Sequence, residues 1–248
     1  MTVPVLLTFD LDGEYVWEEI HPGIPYWTTQ GEYGPKVGVY RILKLLRQKQ
    51  IKATFCIVGQ TAEKYPEAVE AIIRDGHEVA VHGYTHKGYN ELSPKQEQAG
   101  ILKTREILEK YTGKSIYGHR TPRWRPSQNT HKILKELDFK WNSDHMGTET
   151  PFYNTVNGEE SRLLEIPVSY ILDDWNYYYD WGTPPKYVLD VWKVEFDARL
   201  MNNNVFCLTN HPQITGRPSR ITILEKLVDY MTQQKTSFMK ATEFANQF

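Results

Sequence analysis

The chain has 248 residues, 40% of them hydrophobic, with 29 basic and 31 acidic side chains and a net charge of -2. That length buries a full core in a single domain spanning 1–248, because α/β barrels commonly run to about 250 residues as one unit. The balanced charge argues against a nucleic-acid or anionic-membrane partner, and no apolar run approaches a membrane span. The first residues enter an apolar stretch directly, with no basic leader or cleavage site, so the expectation is a cytoplasmic protein with a small-molecule or oligosaccharide partner.

In chain order, Val5 to Phe9 reads as a short buried strand ending at Asp10-Leu11-Asp12-Gly13. Residues 14–34 carry Trp17, Pro22, Pro25, Tyr26, Trp27, Gly31 and Gly34, and read as an irregular aromatic lid. Pro35 opens a helix with Val39, Ile42, Leu43, Leu45 and Leu46 on its apolar face. A strand over 53–58 precedes a helix from Thr61 to Gly76, and a strand over 77–81 leads to His82-Gly83-Tyr84-Thr85-His86.

Ser93-Pro94 has the form of a helix start. A short strand at 116–118 runs into Arg120-Thr121-Pro122-Arg123-Trp124, and Ser127 caps a further helix before a strand at 139–141. Residues 143–161 are polar and read as loop, followed by a strand over 164–172 that ends in Asp173-Asp174-Trp175. A second aromatic loop precedes a helix from 184–185 to about 201, and the strand 205–209 ends at Asn210-His211-Pro212. A helix over 219–233, a strand near Phe238 and a helical turn close the chain.

Seven or so β-α alternations imply a parallel sheet with helices outside, and the repeat count favours a distorted (β/α)7–8 barrel. No dinucleotide-binding glycine pattern follows any strand. Cys56 and Cys207 lie inside apolar runs and read as small buried hydrophobes.

The chemistry collects after the strands. His82 and His86, four apart, can bring both imidazoles to one point through a single helical turn, and an open metal site then needs only one carboxylate, from Asp10 or Asp12. Arg120, Asp173, Asp174 and His211 also follow strands, and the C-terminal strand ends of a parallel barrel share one rim.

These segments, in this order, resemble the polysaccharide deacetylase (NodB-homology, carbohydrate esterase family 4) superfamily. Phe9 to Gly13 is similar to its first motif, His82 to His86 to its metal-binding second, and Arg120 to Trp124 fits the third, R-x-P-x-W. Asp173-Asp174-Trp175 is a looser match to the fourth, and Leu208 to Pro212 matches the fifth. Leu11 separates two aspartates that are usually adjacent, a spelling similar to a branch of peptidoglycan-deacetylase-like proteins and metal-independent allantoinases. At strand period two, Asp10 and Asp12 then point to the same side.

The resemblance implies an amide hydrolase acting on non-peptide carbon–nitrogen bonds, with a divalent metal, zinc first and cobalt, iron or manganese as alternatives, on Asp12, His82 and His86. It implies Asp10 as general base, Arg120 as its ion partner, His211 as general acid and a role for Asp174, with Asp173 the open alternative. Trp27, Trp124 and Trp175 are expected to meet the substrate, an N-acetylated sugar or a cyclic ureide, and a homo-oligomer is expected. A carbohydrate-binding protein without turnover is a third reading, disfavoured because binding alone needs neither base nor acid.

Overall fold

A computed structural model describes residues 2–248. Nine strands form one curled sheet: β1 (Val3–Leu11), β2 (Thr54–Ile57), β3 (Glu78–Val81), β4 (Gly118–His119), β5 (Trp141–Asn142), β6 (Phe152–Val156), β7 (Glu159–Glu165), β8 (Phe206–Asn210) and β9 (Thr236–Phe238). Their spatial order is β6-β7-β5-β4-β3-β2-β1-β8, with β9 beside the start of β1. All pairings are parallel except the β6–β7 hairpin. The chain leaving β7 crosses to the far edge, where Asp173 bridges Thr209 in parallel. The distorted barrel is therefore completed by an extended segment rather than by a full strand.

β1 shows how the sequence sets the two faces. Val5, Leu7, Phe9 and Leu11 belong to the large core beneath the helices, with Phe9 stacked on Phe55 at 4.9 Å. Leu6 points the other way, into the barrel, with Cys56, Ala80, Trp141 and Cys207. The period of two then carries Thr8, Asp10 and Asp12 up the inner face toward the rim. Leu11, between the aspartates, is spent on the helix side, and the two carboxylates share the interior.

The helices follow their apolar faces. Val39–Lys49 buries Val39, Ile42, Leu43, Leu45 and Leu46, so truncating one of these leucines to Ala costs roughly 2–5 kcal/mol. Pro94–Thr112 is opened by a capping box in which Ser93 Oγ accepts from the Gln96 amide N–H, a cap that contributes about 1 kcal/mol.

Three expectations are corrected. Residues 14–34 are not an irregular lid: they form helices Tyr15–Ile20 and Pro25–Tyr33, with Val16 and Trp17 buried and Glu14 held by Lys64 and Tyr65. Pro35 does not start a helix, because it lies in a π-helical turn, Gly34–Gly38, that runs on into Val39–Lys49. Gly38 is required there, since a Cβ would stand 2.0 Å from the Pro212 carbonyl oxygen, so the helix docks on the loop that carries His211. Finally, the polar stretch 143–161 contains β6, an edge strand whose polarity hid it and whose pairing with β7 defines it.

Candidate active site

The His82–His86 segment follows β3, but it is not a helical turn. Gly83 sits in the left-handed region at φ +68°, and any larger residue would also press on the Pro122 ring. This bend, rather than helical spacing, turns both imidazoles toward β1. Their Nε2 atoms each lie 3.6 Å from Asp12 Oδ1.

Hydrogen bonds fix which nitrogen faces inward. His82 Nδ1 meets the Arg120 carbonyl oxygen at 2.9 Å, and His86 Nδ1 meets Glu19 Oε2 at 3.2 Å. Both partners are acceptors, so each Nδ1 carries the proton and each Nε2 presents a lone pair, the outer-sphere arrangement of metal-ligating histidines. Burial pulls the His82 pKa down to about 3, which keeps it neutral.

Asp12 is fully buried. Its Oδ2 accepts from Gln213 Nε2 at 3.0 Å, while its Oδ1 has no hydrogen-bond partner at all. A buried carboxylate oxygen without a donor is costly. Burial raises the Asp12 pKa against the pull of His86 and His211, so the protein's own groups do not compensate the carboxylate. A divalent cation fits this donor set: two ligands at about 2.1 Å on a tetrahedral ion stand about 3.4 Å apart, close to the spacing found.

Asp10 has a different environment. Arg120 Nη1 donates to its Oδ1 at 2.7 Å and to Thr8 Oγ1 at 3.0 Å, while Arg120 Nε and Nη2 donate to the carbonyl and hydroxyl oxygens of Ser143. Burial pushes the Asp10 carboxyl up, but Arg120 and the surrounding imidazoles outweigh it and hold the pKa below the usual carboxylate range. Oδ2 remains turned to the cleft, 3.8 Å from His82 Nε2.

His211 closes the opposite side. Its Nδ1 lies 2.6 Å from Asp174 Oδ1, while Asp174 Oδ2 accepts from the His211 amide at 2.9 Å and from Thr215 Oγ1 at 2.5 Å. Burial alone would lower the His211 pKa; Asp174, Asp12 and Asp173 override it and raise it well above the ordinary value. His211 occupies the N-cap position of a short helix, but its side chain does no capping.

Of the adjacent aspartates, Asp173 faces the cleft and Asp174 stands behind His211. Asp174 is therefore a positioning residue rather than one that meets substrate. Burial raises the Asp173 pKa to about 7.

The cleft encloses about 340 Å³. Trp124, Trp175, Tyr170 and Tyr179 wall it around the carboxylates and histidines. Trp124 and Arg123 both have positive φ, 50° and 57°, a conformation that costs about 1–3 kcal/mol each in a non-glycine residue and is stored at the rim of the site. The buried Trp124 Nε1 has no partner.

Trp27, expected to meet the substrate, does not reach this cleft. It stacks behind the wall on Trp17 (4.9 Å) and His21 (4.3 Å), because the helix Pro25–Tyr33 places it on the far side of Trp17. Sequence reading missed Glu19, which also accepts from Arg123 Nη1 at 2.7 Å, and Gln213. Gln213 had a faint signal, two residues after His211 in the fifth motif. Glu19 had none.

A barrel rim that joins an Asp-His-His donor set, an arginine-held carboxylate and a carboxylate-held histidine is the framework of a hydrolase. The sequence profile described as Polysaccharide deacetylase matches residues 27–141, which include His82, His86, Arg120 and Trp124. The peptidoglycan deacetylase of Helicobacter pylori is 28% identical, covering 96% of this chain and 94% of its own. The structure of a protein from Mycobacterium smegmatis assigned to the polysaccharide deacetylases is 30% identical and superimposes with a TM-score of 0.91 over 99% of this chain and 90% of that one. The structure of PuuE allantoinase, 21% identical, shares the fold with a TM-score of 0.88 over 98% and 89% of the two chains. The chain belongs to the polysaccharide deacetylase family, hydrolases of carbon–nitrogen bonds other than peptide bonds.

Proposed function

We propose that this protein is a metal-dependent amide hydrolase that removes the acetyl group from an N-acetylated sugar or a related small amide. The observation that carries the reading is Asp12 Oδ1, a buried oxygen with no donor, equidistant from two imidazole lone pairs. Asp12, His82 and His86 would hold the ion, zinc first for a mixed nitrogen and oxygen set, with cobalt, iron or manganese as alternatives. The ion would supply Lewis acidity toward the acyl oxygen and the attacking water.

The remaining residues handle protons and position. Asp10 Oδ2 accepts the proton of the attacking water, and Arg120 keeps that carboxylate ionised. His211, protonated through Asp174, presents Nε2 to the cleft and donates to the departing nitrogen. Trp124 and Trp175 line the cleft and supply aromatic surface against which a sugar ring would pack.

A second reading rests on the size and walls of the cleft: about 340 Å³ lined by aromatic rings also suits a flat cyclic ureide. Two measurements on one preparation test the pair: metal content by elemental analysis, and acetate release from N-acetylglucosamine oligosaccharides against ring opening of a cyclic ureide. Acetate release that depends on bound ion supports the first reading; ring opening without acetate release replaces it with the second.

A further inference from the structure

Asp173 is a buried carboxylate of the cleft to which the proposed chemistry gives no task. It belongs to the extended segment that bridges β8 at Thr209, and its Oδ1 lies 3.5 Å from His211 Nδ1. The closer partner of that nitrogen is Asp174 Oδ1, at 2.6 Å, so Asp174 is the residue that holds the imidazole.

The two neighbouring aspartates differ in how fully their oxygens are used. Asp174 has no exposed side-chain surface and takes three donors at 2.9 Å or less. Asp173 lines the cleft, keeps 5% of its side chain exposed, and accepts from the Trp175 amide at 3.1 Å on Oδ1. On Oδ2 it has only the Asn176 side-chain amide, at 3.4 Å, and that group already donates to the Tyr170 carbonyl oxygen at 2.7 Å. A carboxylate offers about four acceptor sites, and burying one with those sites unfilled is costly. The donor that fills Oδ2 has to come from the cleft, on the flank of the imidazole whose Nε2 meets the departing nitrogen.

We propose that Asp173 is a specificity-determining residue whose Oδ2 binds a substrate hydroxyl on a carbon next to the one bearing the acylated nitrogen. The inference rests on the amide-hydrolase reading above and narrows its substrate to a vicinal acylamino alcohol, the pattern of a 2-acylamino sugar. Reach sets the position. Asp173 and the departing nitrogen flank one imidazole ring, so the group that spans them is attached close to that nitrogen. Chemistry sets the group. Burial raises the Asp173 pKa to about 7, with His211 pulling the other way, so both the carboxylate and the acid meet substrate. A hydroxyl donates to the first and accepts from the second, whereas an ammonium suits the first alone.

The test reads binding apart from turnover. N-Acetylglucosamine and its 1-deoxy and 3-deoxy analogues, which each lack one flanking hydroxyl, are titrated by calorimetry into the full-length, zinc-loaded Asp10→Asn protein, with and without Asp173→Ala. One of the two hydroxyls is expected to tighten binding at least about tenfold when Asp173 is present and less than about threefold when it is not. Circular dichroism confirms that the alanine variant folds; if it does not, Asp173→Asn, which keeps an acceptor for the Trp175 amide, should lower the same ratio. A merely structural role for Asp173 would weaken all three ligands alike and leave the ratios unchanged, which overturns the inference. So does no binding of N-acetylglucosamine up to about 50 mM. Acetate release by the wild type is followed separately. Hydroxyl discrimination through Asp173 in a protein that releases no acetate would keep this contact and remove the deacetylase reading.

Discussion

Two clusters at the rim have nearly the same composition and opposite character. Asp12, His82 and His86 form one; Asp173, Asp174 and His211 form the other, and each brings one ligand atom per residue within 4.8 Å. In the first, hydrogen bonds hold the histidines from behind, so Nε2 lone pairs and a donor-less carboxylate oxygen face one another. In the second, the lone pairs facing His211 Nδ1 are consumed. Asp174 takes three donors, Asp173 accepts from the Trp175 amide at 3.1 Å, and His211 Nδ1 is bound between the carboxylates. The pKa shifts diverge accordingly: His82 is driven down to about 3 by burial, and His211 is driven up by its aspartates despite burial. A cation needs neutral imidazole and unsatisfied oxygen, whereas a proton donor needs charged imidazole and satisfied oxygen. Composition alone cannot separate the two; hydrogen-bond accounting does.

The largest effects should come from breaking the first cluster. Asp12→Asn or His82→Ala is expected to lose bound ion and about a thousandfold or more of turnover, with partial rescue of Asp12→Asn by excess ion. Elemental analysis of the purified variants, with rates across an ion titration, checks this; a variant that keeps both ion and rate sinks the metal assignment. Chelation of the wild type should reproduce the loss reversibly. Asp10→Asn tests the boundary of that cluster. Its carboxylate lies beside His82 yet is assigned a proton rather than the ion, so the variant should retain ion and lose at least about a hundredfold in turnover. The reverse pattern, loss of ion from Asp10→Asn but not from Asp12→Asn, would exchange the two roles.

Next in size is the second cluster. Asp174→Asn should keep the ion and lose about ten- to a hundredfold in turnover, less than direct loss of the acid would cost. The sign of the pH effect follows from the shift. Asp174 raises the His211 pKa, so removing it lets the imidazole lose its proton at lower pH, and the alkaline limb of the profile should move down. An unmoved alkaline limb would mean that His211 is not the acid.

What the sequence revealed of these clusters follows from how local the pattern is. Asp10 to Gly13, His82 to His86 and Arg120 to Trp124 are short runs at strand ends, so spacing and topology bring them together before any contact is known. The partners that distinguish the clusters come from far along the chain. Glu19 is 67 residues from His86, and Gln213 is 201 from Asp12. Asp173 and Asp174 are neighbours whose side chains diverge only because Asp173 pairs with β8 at Thr209. The segment 14–34 misled for a related reason: its prolines, glycines and aromatics have weak helical preference, yet burial of Trp17 and the contacts of Glu14 hold it in two helices. Trp27, read as a substrate contact, was placed behind the wall by that same helix formation.

The smallest expected effect is the sharpest test of how the first cluster is built. Glu19 comes from the segment mistaken for a lid and makes no contact with the cleft's carboxylates; it accepts from His86 Nδ1 and from Arg123 Nη1. Burial raises its pKa, but His86 and Arg123 outweigh burial and keep it below the ordinary range, so it is a carboxylate at neutral pH. A carboxylate behind a ligating imidazole fixes the tautomer and raises the basicity of the other nitrogen. Glu19→Gln keeps the shape and one acceptor oxygen but removes the charge. Ion affinity should therefore fall by about tenfold, with turnover at saturating ion nearly unchanged, at the lower end of what loss of such a partner costs. Glu19→Asp, a shorter carboxylate, should recover part of that affinity if charge is what matters. Competitive titration against a fluorescent chelator separates the outcomes. Equal affinity in all three proteins would show that Glu19 only ties the helix Tyr15–Ile20 to Arg123, and the two clusters would then differ in their inner atoms alone.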